Sequence, residues 1–388
     1  MSKGKKRKII RILLFALTLL LLSICGVISV SAESDEKETV PDEYGEFLGS
    51  LDSSVTDKLP DSAFSDKAEE IENAADEISS PQSILSLLLG AFADGLKGVV
   101  PTLALILCVV LLSALISTVA SGTGGMAGAV ERCIKLCTFC AISGTATACL
   151  ERLSEYFDSL FAAVSSFIPL GTTLLAMGGN LNAAASNTAS LGVIMTVCEF
   201  FCTKTVIPLF CVCLCMCLLS VFDGVGGVAG GTVSATLRKW YTTALSFLMM
   251  ILTVSLGASS LIAAKADNMA MRGAKFAISS FVPVSGGSIS STLGTLAASV
   301  ELMRSSVGVI GIVVIMLLLL PTIIELALLR GVFALSSFFA SLLGRGGESR
   351  LLSDIESLYG YLEGMAALSA AVFVIAFGVI AAISTPFS

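Results

Sequence analysis

Residues 274–330 read AKFAISSFVPVSGGSISSTLGTLAASVELMRSSVGVIGIVVIMLLLLPTIIELALLR, and this stretch decides the class of fold. Its second half, 307–329, is apolar and longer than the roughly 20 residues that cross a bilayer. Its first half is interrupted by a proline, a glycine pair and a small polar residue: Pro283, Gly286, Gly287 and Ser290. Backbone groups freed at membrane depth must be buried in protein or face a wet cavity. The stretch therefore predicts a broken membrane segment, which either lines or gates a path or is only a packing kink.

The composition of the whole chain agrees with a membrane protein. Hydrophobic residues make up 55% of the 388 residues and charged residues 14%, whereas soluble domains carry about 25% charged residues. The mean hydropathy is +0.92. We therefore expect an all-α polytopic membrane protein in contact with a lipid bilayer. The net charge of -7 gives no support to nucleic-acid binding.

The sequence offers no set of residues for catalysis. It has no histidine, which removes the commonest general base and the commonest metal ligand. It contains no phosphate-binding loop, nucleophile elbow or zinc-protease motif. The twelve cysteines lie in apolar segments, and we interpret them as small hydrophobic residues rather than disulfides or a metal site. We expect no enzymatic activity, no cofactor and no metal.

The N-terminal part is read in three pieces. Residues 1–32 have the basic start, apolar run and small-residue end of a signal peptide, with cleavage after Ala32; an uncleaved anchor is the alternative. Residues 33–80 are acidic and too poor in apolar residues to fold alone, which predicts an extracytoplasmic arm that meets partners. Residues 81–98 predict an amphipathic interfacial helix.

Residues 99–386 are predicted to form the membrane domain, with about six spans. Four of them are 99–120, 133–150, 241–264 and 366–383, and charged residues at 151–158 follow the second. Two more spans belong to proline-containing units described next. With the arm outside, Arg132 and Lys135 fall inside, as the positive-inside rule prefers.

The chain also shows signs of an internal duplication. The run SSFIPLG at 165–171 resembles SSFVPVS at 279–285, and the next prolines follow at spacings of 39 and 38 residues. Repeats at 133–222 and 241–330 would each hold a re-entrant-like break, as in transport proteins. Chance similarity between low-complexity segments is the alternative. The first repeat adds Pro169 and Gly171 to the residues predicted to line or gate a path, or to pack.

A few charged residues lie inside apolar segments, where charges are expensive and are usually functional or paired. Glu199 and Lys204 are five residues apart, and Glu325 lies within its predicted span. Glu301 and Arg304 have the i, i+3 spacing of a helical ion pair. For each of these sets of charges, a structural ion pair and a place in an ion pathway are the two alternative interpretations.

The opening stretch resembles the stage III sporulation protein AE family of endospore-forming bacteria. The specific block consists of Lys275, Phe276, Phe281, Pro283, Val284, Gly286, Gly287 and Ser290. The resemblance implies a multi-pass protein of the mother-cell membrane facing the forespore, within a transenvelope complex likened to a secretion apparatus or channel. It implies as partners the other stage III sporulation A-type membrane proteins, their cytosolic ATPase and a forespore-membrane protein.

These observations lead to three expectations for function. The first is a non-enzymatic subunit of a channel or secretion-like complex needed for forespore development. The second is a scaffold that assembles ring proteins and the ATPase without lining a path. The third, an intramembrane enzyme or a stand-alone secondary transporter, is weaker because the chain shows no catalytic set.

Overall fold

The computed structural model describes residues 41–65, 67–120, 127–177, 181–219 and 286–382, together with single helical positions between 236 and 254. Every regular element in these ranges is helical, which confirms the predicted all-α class. The predicted signal peptide, its cleavage after Ala32 and most of the predicted span 241–264 lie outside the described residues.

The acidic arm is folded onto the long helices rather than standing free. Its elements are α1 (Asp42–Gly49), α2 (Ser53–Thr56), a 3-10 turn (Asp61–Phe64) and α3 (Ala68–Ser79). Four apolar positions of α3 follow the i, i+3, i+4, i+7 spacing of an amphipathic helix, and these four are buried: Ile71, Ala74, Ala75 and Ile78. The few apolar residues of the arm thus form a core once a larger apolar surface is present.

The helix α4 (Pro81–Ala120) covers both the predicted interfacial helix and the first predicted span. Its start is capped, because the Ser80 Oγ accepts a hydrogen bond from the Ser83 backbone N–H at 3.3 Å. Pro81 then occupies the first helical position, where a missing N–H costs nothing. Residues 81–98 are therefore continuous with the first span.

The next helices correct two sequence predictions. The helix α5 (Ala127–Met177) has 51 residues and continues through the charged segment 151–158, where the second span was expected to end. It also contains Pro169 and Gly171, so the predicted break there is wrong. A proline inside a helix removes one hydrogen bond and crowds the preceding turn, but Pro169 is exposed and its ring lies outside the core.

The third long segment consists of α6 (Leu181–Phe201), a π-helical turn (Cys202–Val206) and α7 (Ile207–Leu219). The π turn ends two residues before Pro208. A π turn is wider than an α-helical turn, so it removes the need for the backbone hydrogen bond that a proline cannot donate. Such turns commonly relieve strain inside helices. The proline is thus accommodated without ending the helical segment.

The last two helices, α8 (Gly286–Leu342) and α9 (Gly346–Ala382), form an antiparallel hairpin. Gly344 has a φ of 74°, a value that suits glycine alone. The Arg345 N–H donates to the Ala340 carbonyl at 2.9 Å and the Gly344 N–H to the Ser341 carbonyl at 3.1 Å. These two bonds form a Schellman motif, which ends α8 and reverses the chain.

Five helical segments in the described residues are long and apolar enough to cross a membrane, as expected of a multi-pass membrane protein. They are Leu85–Ile116, Leu136–Met177, Leu181–Leu218, Ser306–Leu342 and Gly346–Gly378. The predicted repeats at 133–222 and 241–330 stay a prediction, because much of the second repeat lies outside the described residues.

Contacts between the long helices give the bundle two distinct ends. At one end, which we call the tip, the Ser113 hydroxyl on α4 donates to Glu348 beside the Gly344 turn. At the other end, which we call the arm end, Phe167 of α5 stacks on Phe377 of α9. The helices α4, α5, α8 and α9 all run between these ends.

Candidate functional site

The structure does not gather the predicted path residues into one site. Pro169 is exposed and Gly171 is buried, both within α5 near the arm end. Pro283 lies outside the described residues. Gly286, Gly287 and Ser290 open α8, but their surroundings are not described. A role for these residues in lining or gating a path stays a prediction.

The charges predicted at membrane depth divide into two groups. Glu199 on α6 and Lys204 in the π turn are both exposed, and within the described residues no ion pair joins them. Glu301 and Arg304 lie on α8, but their side chains lie outside the described part, so their pairing stays a prediction.

Glu325 has a partner that the sequence did not indicate. The Arg152 guanidinium of α5 donates to the Glu325 carboxylate of α8. Arg152 belongs to the charged segment 151–158, which was expected to follow the end of the second span, and it lies 173 residues away from Glu325 in sequence. Because no local pattern links residues so far apart, only the packing of α5 against α8 reveals the pair.

A second ion pair joins α8 to α9 at a similar height in the bundle. The Arg330 Nη1 donates to the Glu363 Oε2 at 3.0 Å, and the Arg330 Nε lies 3.9 Å from the Glu356 Oε1. Glu363 is buried at 4% exposure. A Cβ at Gly360 would lie 3.1 Å from the Arg330 Cζ, so the glycine leaves room for the guanidinium.

An aromatic cluster, consisting of Phe47, Phe167, Phe377 and Gly311, joins the arm to three helices. Phe167 stacks on Phe377 with ring centroids 3.8 Å apart, and Phe47 of the arm meets Phe167 edge-on at 5.5 Å. A Cβ at Gly311 would lie only 2.7 Å from the Phe377 Cδ2. Glycine is therefore what allows α8 to approach the two rings.

Polar contacts surround this cluster and tie the arm to α5. The Ser50 hydroxyl donates to the Ser166 Oγ at 2.7 Å, and the Thr173 hydroxyl donates to the Glu43 carboxylate at 3.1 Å. Within the arm, the Tyr44 hydroxyl donates to the Ala63 carbonyl at 2.7 Å. Burial raises the pKa of Tyr44 well above its usual range.

The arm also carries an open groove of about 580 Å³ between α1 and the 3-10 turn. Its floor and walls include Leu48, Leu51 and Phe64, and Asp42 and Asp57 lie along its lining. Phe64 is 42% exposed.

The described residues contain no group of three or more His, Cys, Asp or Glu side chains arranged to hold a metal ion. What this part of the chain does contain is a set of helix-to-helix contacts. Sequence reasoning missed these contacts: the arm docking, Gly311, and the partners of Glu325 and Arg330.

Comparison with known proteins places the chain in a family. No curated protein and no solved structure matched it. The family model for stage III sporulation protein AE matches residues 64–384, which is most of the chain and includes α3 to α9. The chain therefore belongs to the stage III sporulation protein AE family and has a sporulation-related role.

Proposed function

We propose that the chain is a non-enzymatic membrane subunit of a transenvelope complex of sporulation, and that it holds other subunits in place. The observation that carries this proposal is the filled interior of the part of the bundle that the structure describes. Phe167 and Phe377 occupy the space between α5, α8 and α9 toward the arm end, and Arg330 with Glu363 closes it at mid-height. A bundle whose interior is filled in this way suits the assembly of other subunits better than the conduction of a solute through a single chain.

Family membership and charge distribution support the location and partners. The proposed membrane is that of the mother cell facing the forespore, and the proposed partners are the A-type stage III membrane proteins, their cytosolic ATPase and a forespore-membrane protein. Residues 33–80 carry 16 acidic and 3 basic residues, a net charge of -13. Arg345 and Arg350 lie at the opposite end, which suits an arm outside and a tip inside the cytoplasm.

The second candidate is a channel subunit, in which the break at Pro283 and the glycine pair line a path with neighbouring subunits. It is favoured by the small residues that open α8, since closely approaching helices use such residues. The signal peptide, a re-entrant segment at Pro283 and the duplication belong to this proposal.

Replacing Gly286 and Gly287 together by leucine separates the two candidates in sporulating cells. The matched control replaces Gly346 and Gly347, a glycine pair that also opens a helix and has open space around both Cβ positions. Under the scaffold proposal, a defect in forespore development appears together with loss of the other subunits in co-purification. A complex that assembles fully but no longer supports forespore development would instead establish the channel role.

A further inference from the structure

The long helices are about twice as long as a bilayer requires. The helix α4 has 40 residues and α5 has 51, which correspond to about 60 and 75 Å at 1.5 Å per residue. The hydrocarbon core is about 30 Å thick. A 60 Å helix fits that layer only at a tilt of about 60°, beyond the usual range of 0–40°. A single bilayer therefore covers only part of each helix.

Charged residues of all the long helices meet at one height, about midway between the tip and the arm end. Arg152 pairs with Glu325, and Gly95, between Asp94 and Lys97 in sequence, lies against Ile324 and Leu328. We call this set the charged belt, and it consists of Asp94, Lys97, Glu151, Arg152, Glu155, Asp158, Glu199, Lys204, Glu325, Arg330, Glu356 and Glu363.

Most side chains of the belt face outward. Asp94 and Lys97 are each more than three-quarters exposed, and Glu151, Glu155 and Asp158 are exposed on α5. Exposed charges of both signs on several helices do not fit the middle of a hydrocarbon layer. The belt therefore marks a boundary between bilayer and water, and one half of the bundle lies on each side of it.

The arm shows which half lies outside the bilayer. It packs beside the bundle, with Phe47 on Phe167 and Glu43 bonded to Thr173, well above the belt toward the arm end. Residues 41–80 carry 12 acidic and 2 basic residues, and Asp42 and Glu46 are exposed. A hydrocarbon layer around this half would have to enclose the exposed carboxylates.

The surface of the two halves agrees with this assignment. Below the belt, α4 and α8 expose large apolar side chains: Val100, Leu105, Leu111, Leu112, Leu115, Leu335, Phe338, Phe339 and Leu342. Above it, α5 and α6 expose a few large apolar side chains, Met177, Leu181 and Val193, and otherwise small or polar residues such as Ser165, Asn182 and Ala185. The exposed leucines of α4 on the arm side of the belt lie close to the belt. They belong to residues 81–98, for which an interfacial position was predicted.

We propose that the bilayer surrounds only the tip half of the bundle, with the charged belt at its surface, and that the arm half is an extramembrane helical unit. The apolar segments 159–177, 181–198 and 305–324 then serve as a protein core rather than as membrane spans. The partner of the tip half is lipid, and the arm half is presented to water and to other proteins.

Thiol labelling of the full chain in lipid vesicles tests the proposal. The purified protein is placed in vesicles of phosphatidylethanolamine and phosphatidylglycerol, made permeable so that both sides are reached, and treated with a sulfonated maleimide. Among the described residues, the exposed native cysteines lie in the tip half: Cys108, Cys133, Cys137, Cys140 and Cys215. We expect Cys108, Cys137 and Cys140 to be protected in vesicles and labelled after the lipid is replaced by denaturing detergent, as located by mass spectrometry.

Two added cysteines on one helix sharpen the test. Ser165→Cys lies in the arm half of α5 and Thr147→Cys in its tip half, and both positions are exposed. Because maleimides react with the thiolate in water, we expect Ser165→Cys to label at least about tenfold faster than Thr147→Cys in vesicles. Equal protection of both, or protection of Ser165→Cys together with labelling of Cys108, would overturn the proposal. The native cysteines test the position of the tip half without any substitution, so misfolding of a variant does not obscure that part of the result.

Discussion

The aromatic cluster and the charged belt both join the long helices, but by different physical means. The cluster places Phe47, Phe167 and Phe377 in contact where Gly311 allows close approach, and it also holds the arm. The belt joins helices through ion pairs such as Arg330 with Glu363 and leaves many charges in water. A substitution in a packed cluster loses dispersion contacts and apolar burial. An exposed ion pair contributes less to stability, because solvent weakens the attraction between its charges. The bundle should therefore be much more sensitive to changes in the cluster than in the belt.

The largest effect is expected from Phe167→Ala, because this ring contacts both Phe47 and Phe377. Removing a fully buried phenylalanine costs about 3–5 kcal/mol in the free energy of unfolding. The measurement is unfolding in mixed detergent, with protease cleavage of the arm as a second reading. Phe338→Ala is the control, since Phe338 is 59% exposed on α8. An equal loss in both variants would contradict a special role for the cluster.

Two glycine-to-alanine substitutions are expected to change the free energy of unfolding in opposite directions. Gly311→Ala puts a methyl group against the Phe377 ring and should destabilise the protein by about 1–3 kcal/mol through overpacking. Gly144→Ala has open space around its Cβ and should be neutral or stabilising by up to about 1 kcal/mol, because alanine is the better helix former. The same detergent unfolding experiment measures both. A stable Gly311→Ala protein would show that the rings move apart easily.

A smaller effect is expected at the best-buried ion pair of the belt. Arg330→Met leaves Glu363 without its cation and should cost about 2 kcal/mol, below the value for a fully buried pair because Arg330 keeps some exposure. Adding Glu363→Gln should recover part of this loss. A double-mutant cycle measures the coupling between the two side chains. Strictly additive losses would mean that the pair contributes no coupling.

Alkaline pH should loosen the arm. The pKa of Tyr44 is raised by burial, so the folded arm disfavours the phenolate. The contribution of Tyr44 to the stability of the folded arm is fully present below the usual tyrosine pKa of about 10, and it is lost as the pH rises above that value. Protease cleavage of the arm, followed between pH 8 and 11, measures the loss. Tyr44→Phe should remove this dependence at a cost of about 1 kcal/mol from the missing hydrogen bond to Ala63; an unchanged pH profile would exclude Tyr44 as its source.

The smallest effect is expected from Arg152→Gln. Arg152 is 53% exposed. An ion pair that includes so exposed a side chain typically contributes between 0 and about 1 kcal/mol to the free energy of unfolding. Unfolding at low and at high salt should therefore give nearly the same small difference from the unchanged chain. A loss as large as that of Phe167→Ala would show that the belt, and not the cluster, dominates the stability of the bundle.

The class of fold was predictable because it depends on composition and on apolar runs longer than a bilayer. The positions of helix ends were less predictable where charge and proline suggested interruption. At residues 151–158 and at Pro169 the helix α5 continues, because the charged face of one helix is exposed while its other face stays buried. Local sequence marks a preference for ending a helix, but packing of the buried face overrides it.

The contacts of the candidate site were mostly out of reach of sequence reasoning. Glu325 was recognised as a charge that needed a partner, but Arg152 is 173 residues away. Gly311 lies in an apolar run and has no local sign of its role. The arm was expected to be unable to fold alone, and its dependence on α5 and α8 is in keeping with that interpretation, although its docking was not foreseen.

The docking of Phe47 against Phe167 and Phe377 has a consequence for biosynthesis. The arm is made first, but Phe377 is made about 330 residues later, a delay on the order of 20–60 s at ordinary rates of translation. Until then the arm has no complete surface to fold on, and its apolar residues are open to chaperones and proteases. Arm docking therefore requires that the chain has been made as far as Phe377, so copies truncated before this residue would keep an undocked arm.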